Sequence, residues 1–134
     1  MVFSKSNMIY SYCRWIESEI TQSDVNGWLE ITTPFLDCDN DCISVYVKIE
    51  SDKIILSDFS ECIDSLLFSG CDIENEHFRK CIEITANRFG IRFSEDYDLT
   101  AEVTLDKFPQ KFNDLVQCVA AISNYRIFAW EPSD

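Results

Sequence analysis

From Cys42 to Glu50, apolar and polar side chains alternate. Ile43, Val45, Val47 and Ile49 interleave with Cys42, Ser44, Tyr46 and Lys48. A period of two places the sets on opposite sides of an extended chain, so the run predicts a β-strand with one face against a core. Such a strand needs neighbours, and the sequence supplies two. "WLEITT" (28–33) is rich in aromatic and β-branched residues and is expected to stop at Pro34. "KIILS" (53–57) follows a turn at 50–52. Three runs so close in sequence are most simply paired as an antiparallel meander.

The flanking segments read as helices. Met8 or Ile9, Tyr12, Cys13, Ile16 and Ile20 recur at three- and four-residue steps, with Ser6 or Asn7 as the expected cap and Asn26-Gly27 closing the region. Ser60 is the expected cap of a second helix bearing Ile63, Leu66 and Leu67, which ends at Ser69-Gly70. Asn75 opens a third, with Phe78, Cys81 or Ile82, Thr85 and Phe89 on one side. "IRFS" and "LTAEVTL" predict a hairpin across 95–98, with Leu99, Ala101, Val103 and Leu105 on its apolar face. A last helix begins near Pro109 and carries Phe112, Leu115, Val116, Val119 and Ile122. "YRIFAW" then extends it, adds a strand, or forms a dimer contact through Ile127, Phe128 and Trp130. The expected order is α-βββ-αα-ββ-α in one compact α+β domain, a size consistent with 134 residues.

Charge narrows the functions available. The chain has 24 acidic against 11 basic residues, a formal net charge of -13. Such a surface repels nucleic-acid phosphates and steers basic partners toward it. No apolar run is long enough to span a membrane, and "MVFSKSNMIYSYCRW" lacks the pattern of a signal peptide, so a cytoplasmic protein is expected. Seven cysteines, an odd number set within periodic runs, read as reduced thiols, most of them buried.

Asp37, Asp39, Asn40 and Asp41 crowd the link before the alternating strand. They are read as a turn first, a contact surface second and a metal site third. A nuclease-like centre would need acids around a divalent ion with a lysine nearby, and Asp41, Glu50 and Lys48 are the candidates, with Glu30 on the preceding strand. Tyr46 stands where a second acid of that pattern belongs. The link lacks the glycine and late glutamate of a helix-loop-helix calcium site. Cys38 and Cys42 make half a zinc site without a second pair, and the lone His77 has no evident partner. With no glycine-rich phosphate loop, no cofactor or metal is expected.

In order along the chain, "GWLEITTPFLDCDNDCISVYVKIE", "ILSDFSECIDSLLFSG", "FGIRF" and "FPQKFNDLVQCVAAISN" resemble successive blocks of domain of unknown function 1828, a bacterial and phage family. The resemblance implies a prophage or mobile-element context in a bacterial host, and no assigned activity. Where relatives usually carry a basic residue and histidine between Asp37 and Asn40, this chain has Cys38 and Asp39. Where relatives often follow the third strand with two acids and glycine, it has Asp58, Phe59 and Ser60. Both departures remove candidate chemical groups.

Charge and context together give the leading expectation, a non-enzymatic interaction protein. Its acidic clusters would be Asp37, Asp39 and Asp41; Asp72, Glu74 and Glu76; and Glu95, Asp96 and Asp98. They would face a basic protein, in the sharpest version a nuclease or CRISPR effector whose nucleic-acid channel they occupy. The alternatives are the metal-dependent nuclease, and an acidic dimeric chaperone, since the element order is similar to that of type III secretion chaperones with one helix more.

Overall fold

A computed structural model describes residues 4–129. The elements are α1 (Lys5–Glu19), β1 (Thr21–Val25), β2 (Trp28–Leu36), β3 (Cys42–Glu50), β4 (Lys53–Ser57), α2 (Glu61–Phe68), α3 (Glu76–Arg88), β5 (Arg92–Phe93), β6 (Leu99–Thr104) and α4 (Phe108–Ser123). Two 3-10 segments, Leu105–Lys107 and Asn124–Ala129, flank α4. The α-βββ-αα-ββ-α order of an α+β domain holds, with β1 added before the three expected strands. The strands form a six-stranded antiparallel sheet in the order β1-β2-β3-β4-β6-β5. Among the described residues, no helix is long and apolar enough to cross a membrane.

The alternating run behaves as its pattern demands. Ile43, Val45 and Val47 are buried in one core with Ile54 and Leu56 of β4 and Leu99 of β6. The helices α2, α3 and α4 supply most of the rest, among them Ile63, Leu66, Ile82, Ala86, Leu115, Val119 and Ile122. Ile49 shares the alternation yet is 73% exposed, because the strand outruns the helices that cover it. Leu105 is equally exposed, having left the strand for a 3-10 turn. Trp130 lies outside the described residues; Ile127 and Phe128 sit in the 3-10 segment after α4, both exposed.

Three local expectations are corrected. Asn26-Gly27 does not close a helical region but forms the tight turn of a β1–β2 hairpin, with φ of +52° and +88°. Consecutive left-handed residues are what such two-residue hairpin loops require. Pro34 does not stop β2, which runs on to Leu36. Its pairing with β3 slips between Thr32 and Leu36, so the missing N–H of Pro34 falls at an irregularity in the ladder. The first helix is capped by Ser4, whose hydroxyl accepts from the Asn7 N–H, rather than by Ser6 or Asn7.

Candidate functional site

One end of the sheet gathers most of the chemistry-bearing side chains. Antiparallel order brings the end of β2, the start of β3, the ends of β4 and β5 and the start of β6 to the same edge. The connections there are the 37–41 turn, the 58–60 junction and the 94–98 turn.

The 37–41 turn is tied by its own acids. Asp37 Oδ1 accepts from the N–H groups of Asp39 (2.8 Å) and Asp41 (3.0 Å), and the Asp37 N–H donates to the Asp41 carbonyl at 2.9 Å. Asn40 takes a left-handed φ of +63°, which asparagine tolerates well. The turn is then docked on the helices. Cys38 donates its N–H to Ser123 Oγ (3.1 Å) and its thiol to the Ser123 carbonyl (2.9 Å). Asp39 pairs with Arg126 and accepts from Ser65 Oγ at 3.3 Å. Asp37 and Asp39 therefore hold structure, and Asp41 is exposed.

The junction after β4 rests on Asp58, which is 1% exposed. Its Oδ1 accepts from the N–H groups of Leu99 (2.9 Å) and Ser60 (3.0 Å), and its Oδ2 accepts from Cys62 N–H at 3.1 Å. Asp58 thus caps α2 and straps it to β6. Ser60, the expected cap, makes no side-chain cap bond; it lies at φ +61° next to Phe59 at +53°. Two consecutive left-handed residues other than glycine cost about 1–2 kcal/mol each, which the Asp58 bonds and the Ser57 Oγ bond from Phe59 N–H (3.0 Å) offset. Burial pushes the Asp58 carboxyl up to about 6, against the lowering effect of those three N–H donors, with Asp98 adding to the rise.

Between turn and junction lies a cavity of about 60 Å³, lined in part by Asp37, Cys38, Cys42, Asp58, Cys62 and Arg126. Cys62 in its wall is a buried thiol. Burial, reinforced by Asp58, pushes the Cys62 thiol well up, and the same two causes push Cys118 up to about 12. A thiol so placed stays protonated and unreactive.

Beyond the junction the remaining acids meet. Tyr97 donates its hydroxyl to Glu74 Oε1 at 3.1 Å, joining the 94–98 turn to the segment before α3. Asp72 caps that segment by accepting from Glu74 N–H at 3.1 Å. Burial raises the Asp98 carboxyl, and the charges of Asp96 and Asp64 raise it further. Ser60 Oγ donates to Asp64 at 2.8 Å, placing Asp64 beside the Asp58 junction. The predicted clusters 37–41, 72–76 and 95–98 are thereby joined through α2 into one acidic rim. Glu76, Glu95 and Asp96 are exposed on it. Sequence reasoning missed Asp64 and Ser65 as its connecting residues and Arg126 as its anchor. Asp64 lies one turn from Ser60, but Ser65 and Arg126 meet Asp39 from far along the chain, and no local signal marks them.

The nuclease candidates do not come together. Asp41 precedes β3 and Glu50 ends it, so at about 3.3 Å per residue they stand roughly 30 Å apart. Lys48 pairs with Glu50 at 3.7 Å and lies over the Trp28 ring at 5.5 Å. Glu30 is held elsewhere: the Tyr46 hydroxyl donates to Glu30 Oε2 (3.0 Å) and to Glu61 Oε1 (2.7 Å). Burial and both carboxylates keep that phenol well above its usual value, and Phe59 stacks on its ring at 4.2 Å. His77 is exposed on α3, 4.0 Å from the Cys81 sulfur. Among the described residues, no group of three or more His, Cys, Asp or Glu side chains is placed to hold a metal ion.

The family model for "Domain of unknown function DUF1828" matches residues 33–122, from the middle of β2 to the last turn of α4. No curated protein and no solved structure matches the chain. The chain belongs to that family.

Proposed function

We propose that this member of the DUF1828 family is a non-enzymatic binding protein whose acidic rim docks on a basic surface of a partner protein. The observation that supports the reading is the convergence of three separate acidic segments on one end of the sheet, joined through Asp64 and Ser65 of α2. Crowded carboxylates repel one another: burial raises the Asp98 carboxyl, and the charges of Asp96 and Asp64 add to that rise. A cationic partner relieves that repulsion and is steered in by the field of a chain at -13. The buried acid of the rim, Asp58, is committed to backbone N–H groups. In its sharper form, which draws on the mobile-element context that the resemblance implies, the partner is a bacterial defence effector. The rim would stand in for phosphates in that effector's nucleic-acid channel.

The geometry separates acids that can be removed from those that hold the fold. Asp41, Glu76, Glu95 and Asp96 are exposed, whereas Asp37, Asp39 and Asp58 tie the turn and junction together. Changing the first four to Asn or Gln is expected to cut retention of a basic protein from bacterial lysate roughly tenfold at low salt, and to flatten its salt dependence. Tagged wild type and variant would be compared at low and high salt, with bound proteins identified by mass spectrometry. Equal retention by both, or no basic protein bound by wild type at low salt, would overturn the reading.

A further inference from the structure

The helix α1 has an apolar face that nothing among the described residues covers. At 100° per residue, Trp15, Met8, Tyr12, Ile16 and Ile9 fall within an arc of about 120°. That is the width of a face that helices normally bury. Yet α1 buries no residue: Met8, Ile9, Tyr12 and Trp15 are 49% to 67% exposed, and Ile16 alone is half-buried. A 15-residue helix is marginal in water by itself and draws its stability from packing such a face.

The neighbouring strand is also unpartnered on one side. β1 follows α1 after the single residue Ile20 and is the edge of the sheet, its other edge paired to β2. The free edge presents a row of backbone donors and acceptors ready to pair with another strand. Residues 4–25 carry Lys5 and Arg14 against Glu17, Glu19 and Asp24, so they are close to neutral in a chain of net charge -13. At the acidic rim, two copies meeting face to face would set acid against acid.

We infer that α1 and the edge of β1 form a homodimer interface, the occupant being a second copy of this chain. Charge selects a second copy over a basic client, which the acidic rim would draw to itself instead. It also disfavours an anionic membrane surface, which would repel the chain as a whole. Edge-to-edge antiparallel pairing is self-complementary, as a two-fold interface requires. Centred on Ser23, it sets Asp24 opposite Gln22 of the other copy, with no like charges across the pair. The area is of the right order. With large side chains contributing ~150–250 Å² each, the exposed apolar residues of α1 offer on the order of 500 Å². The strand edge and polar rim add to this, toward the ~800 Å² per partner of a standard interface.

The test is sedimentation equilibrium of the intact chain from about 1 to 100 µM, at low and high salt. Wild type is expected at twice its chain mass of 15.6 kDa. Added salt should tighten the dimer, because it screens repulsion between two copies at -13. That salt response is opposite to the one expected of the acidic rim, so the two readings fail independently. Met8→Glu with Tyr12→Glu should return the chain to monomer mass. Both side chains are exposed in the single chain, so unchanged hydrogen-exchange protection across β3 and β4 will show that the core of the variant remains folded. A wild type that stays monomeric across the range overturns the inference, as does a dimer that survives the double substitution.

Discussion

The helices α1 and α4 are nearly matched in length, at 15 and 16 residues, and both carry their apolar side chains at helical spacing. Their fates are opposite. In α4, Leu115, Val116, Cys118, Val119, Ile122 and Ser123 are buried, closing the core over β3, β4 and β6. In α1 no residue is buried. The family match stops within the same contrast: residues 33–122 include all of α4 but its last residue, and neither α1 nor β1. Periodicity therefore states that a face will be covered without stating by what. In α4 the cover is the sheet; in α1 none of the described residues supplies it.

The contrast is broken most directly by truncating one apolar residue on each helix. Leu115 is fully buried, so Leu115→Ala is expected to cost about 2–5 kcal/mol in urea unfolding. Ile9 is 67% exposed, so Ile9→Ala should cost less than about 0.5 kcal/mol at protein concentrations low enough to hold the chain monomeric. Similar losses at the two positions would mean that α1 is packed in the single chain after all.

Ionisation sharpens the same contrast, because the side under α4 hides an acid. Asp58 rises from an unfolded value near 3.8 to about 6 in the fold, chiefly through burial. Between those values the native state holds a proton that the unfolded state releases. Stability is therefore highest below pH 4 for this group, and is lost as the pH climbs through about 6. The total effect is on the order of 3 kcal/mol. Asp58→Asn should flatten that slope, while its amide faces the Cys62 N–H donor and lowers stability at every pH. Urea midpoints from pH 4 to pH 8 would decide it, and an unchanged slope in the variant would assign the effect to another group.

A smaller effect than at Leu115 or Asp58 is expected in the hairpin that carries α1. Gly27 sits at φ +88° with open space around it, so Gly27→Ala meets no clash but does meet backbone strain of about 1–2 kcal/mol. That strain should fray β1 from β2 and leave the rest of the sheet intact. Hydrogen exchange is expected to quicken in 21–25 and stay unchanged in 53–57. Equal quickening in both segments would show that β1 is an integral part of the core rather than an appended edge.

Much of the body was legible because its strands set their apolar side chains on one side, against the core. Ile43, Val45 and Val47 show their period, and so do Leu99, Ala101 and Val103. The strand β1 was not legible, for the converse reason. "TQSDV" is exposed at an edge and carries no apolar alternation, so its only sign was Asn26-Gly27, the strongest short hairpin signal in the chain. At the acidic rim the three clusters could be read as composition. Their union could not, because it depends on Ser65 reaching Asp39 and Tyr97 reaching Glu74 across the fold. Ser60 illustrates a subtler miss. Serine before a helix normally caps it, but a left-handed backbone turns its side chain away from the N–H groups, and the buried Asp58 takes the role.

What the sequence determined by itself is what depends on neighbours a few residues apart: which runs are strands or helices, which face of each is apolar, and the excess of acid. Those are local properties, set by backbone geometry and by the transfer of apolar side chains out of water. Only the tertiary structure decided which acids are structural and which are free, that Asp41 and Glu50 lie at opposite ends of one strand, and that one of two like helices remains uncovered. The physical reason is that hydrogen bonds, charge coupling and burial act over distances in space. Antiparallel pairing brings residues to one end of a sheet that the chain itself keeps sixty positions apart.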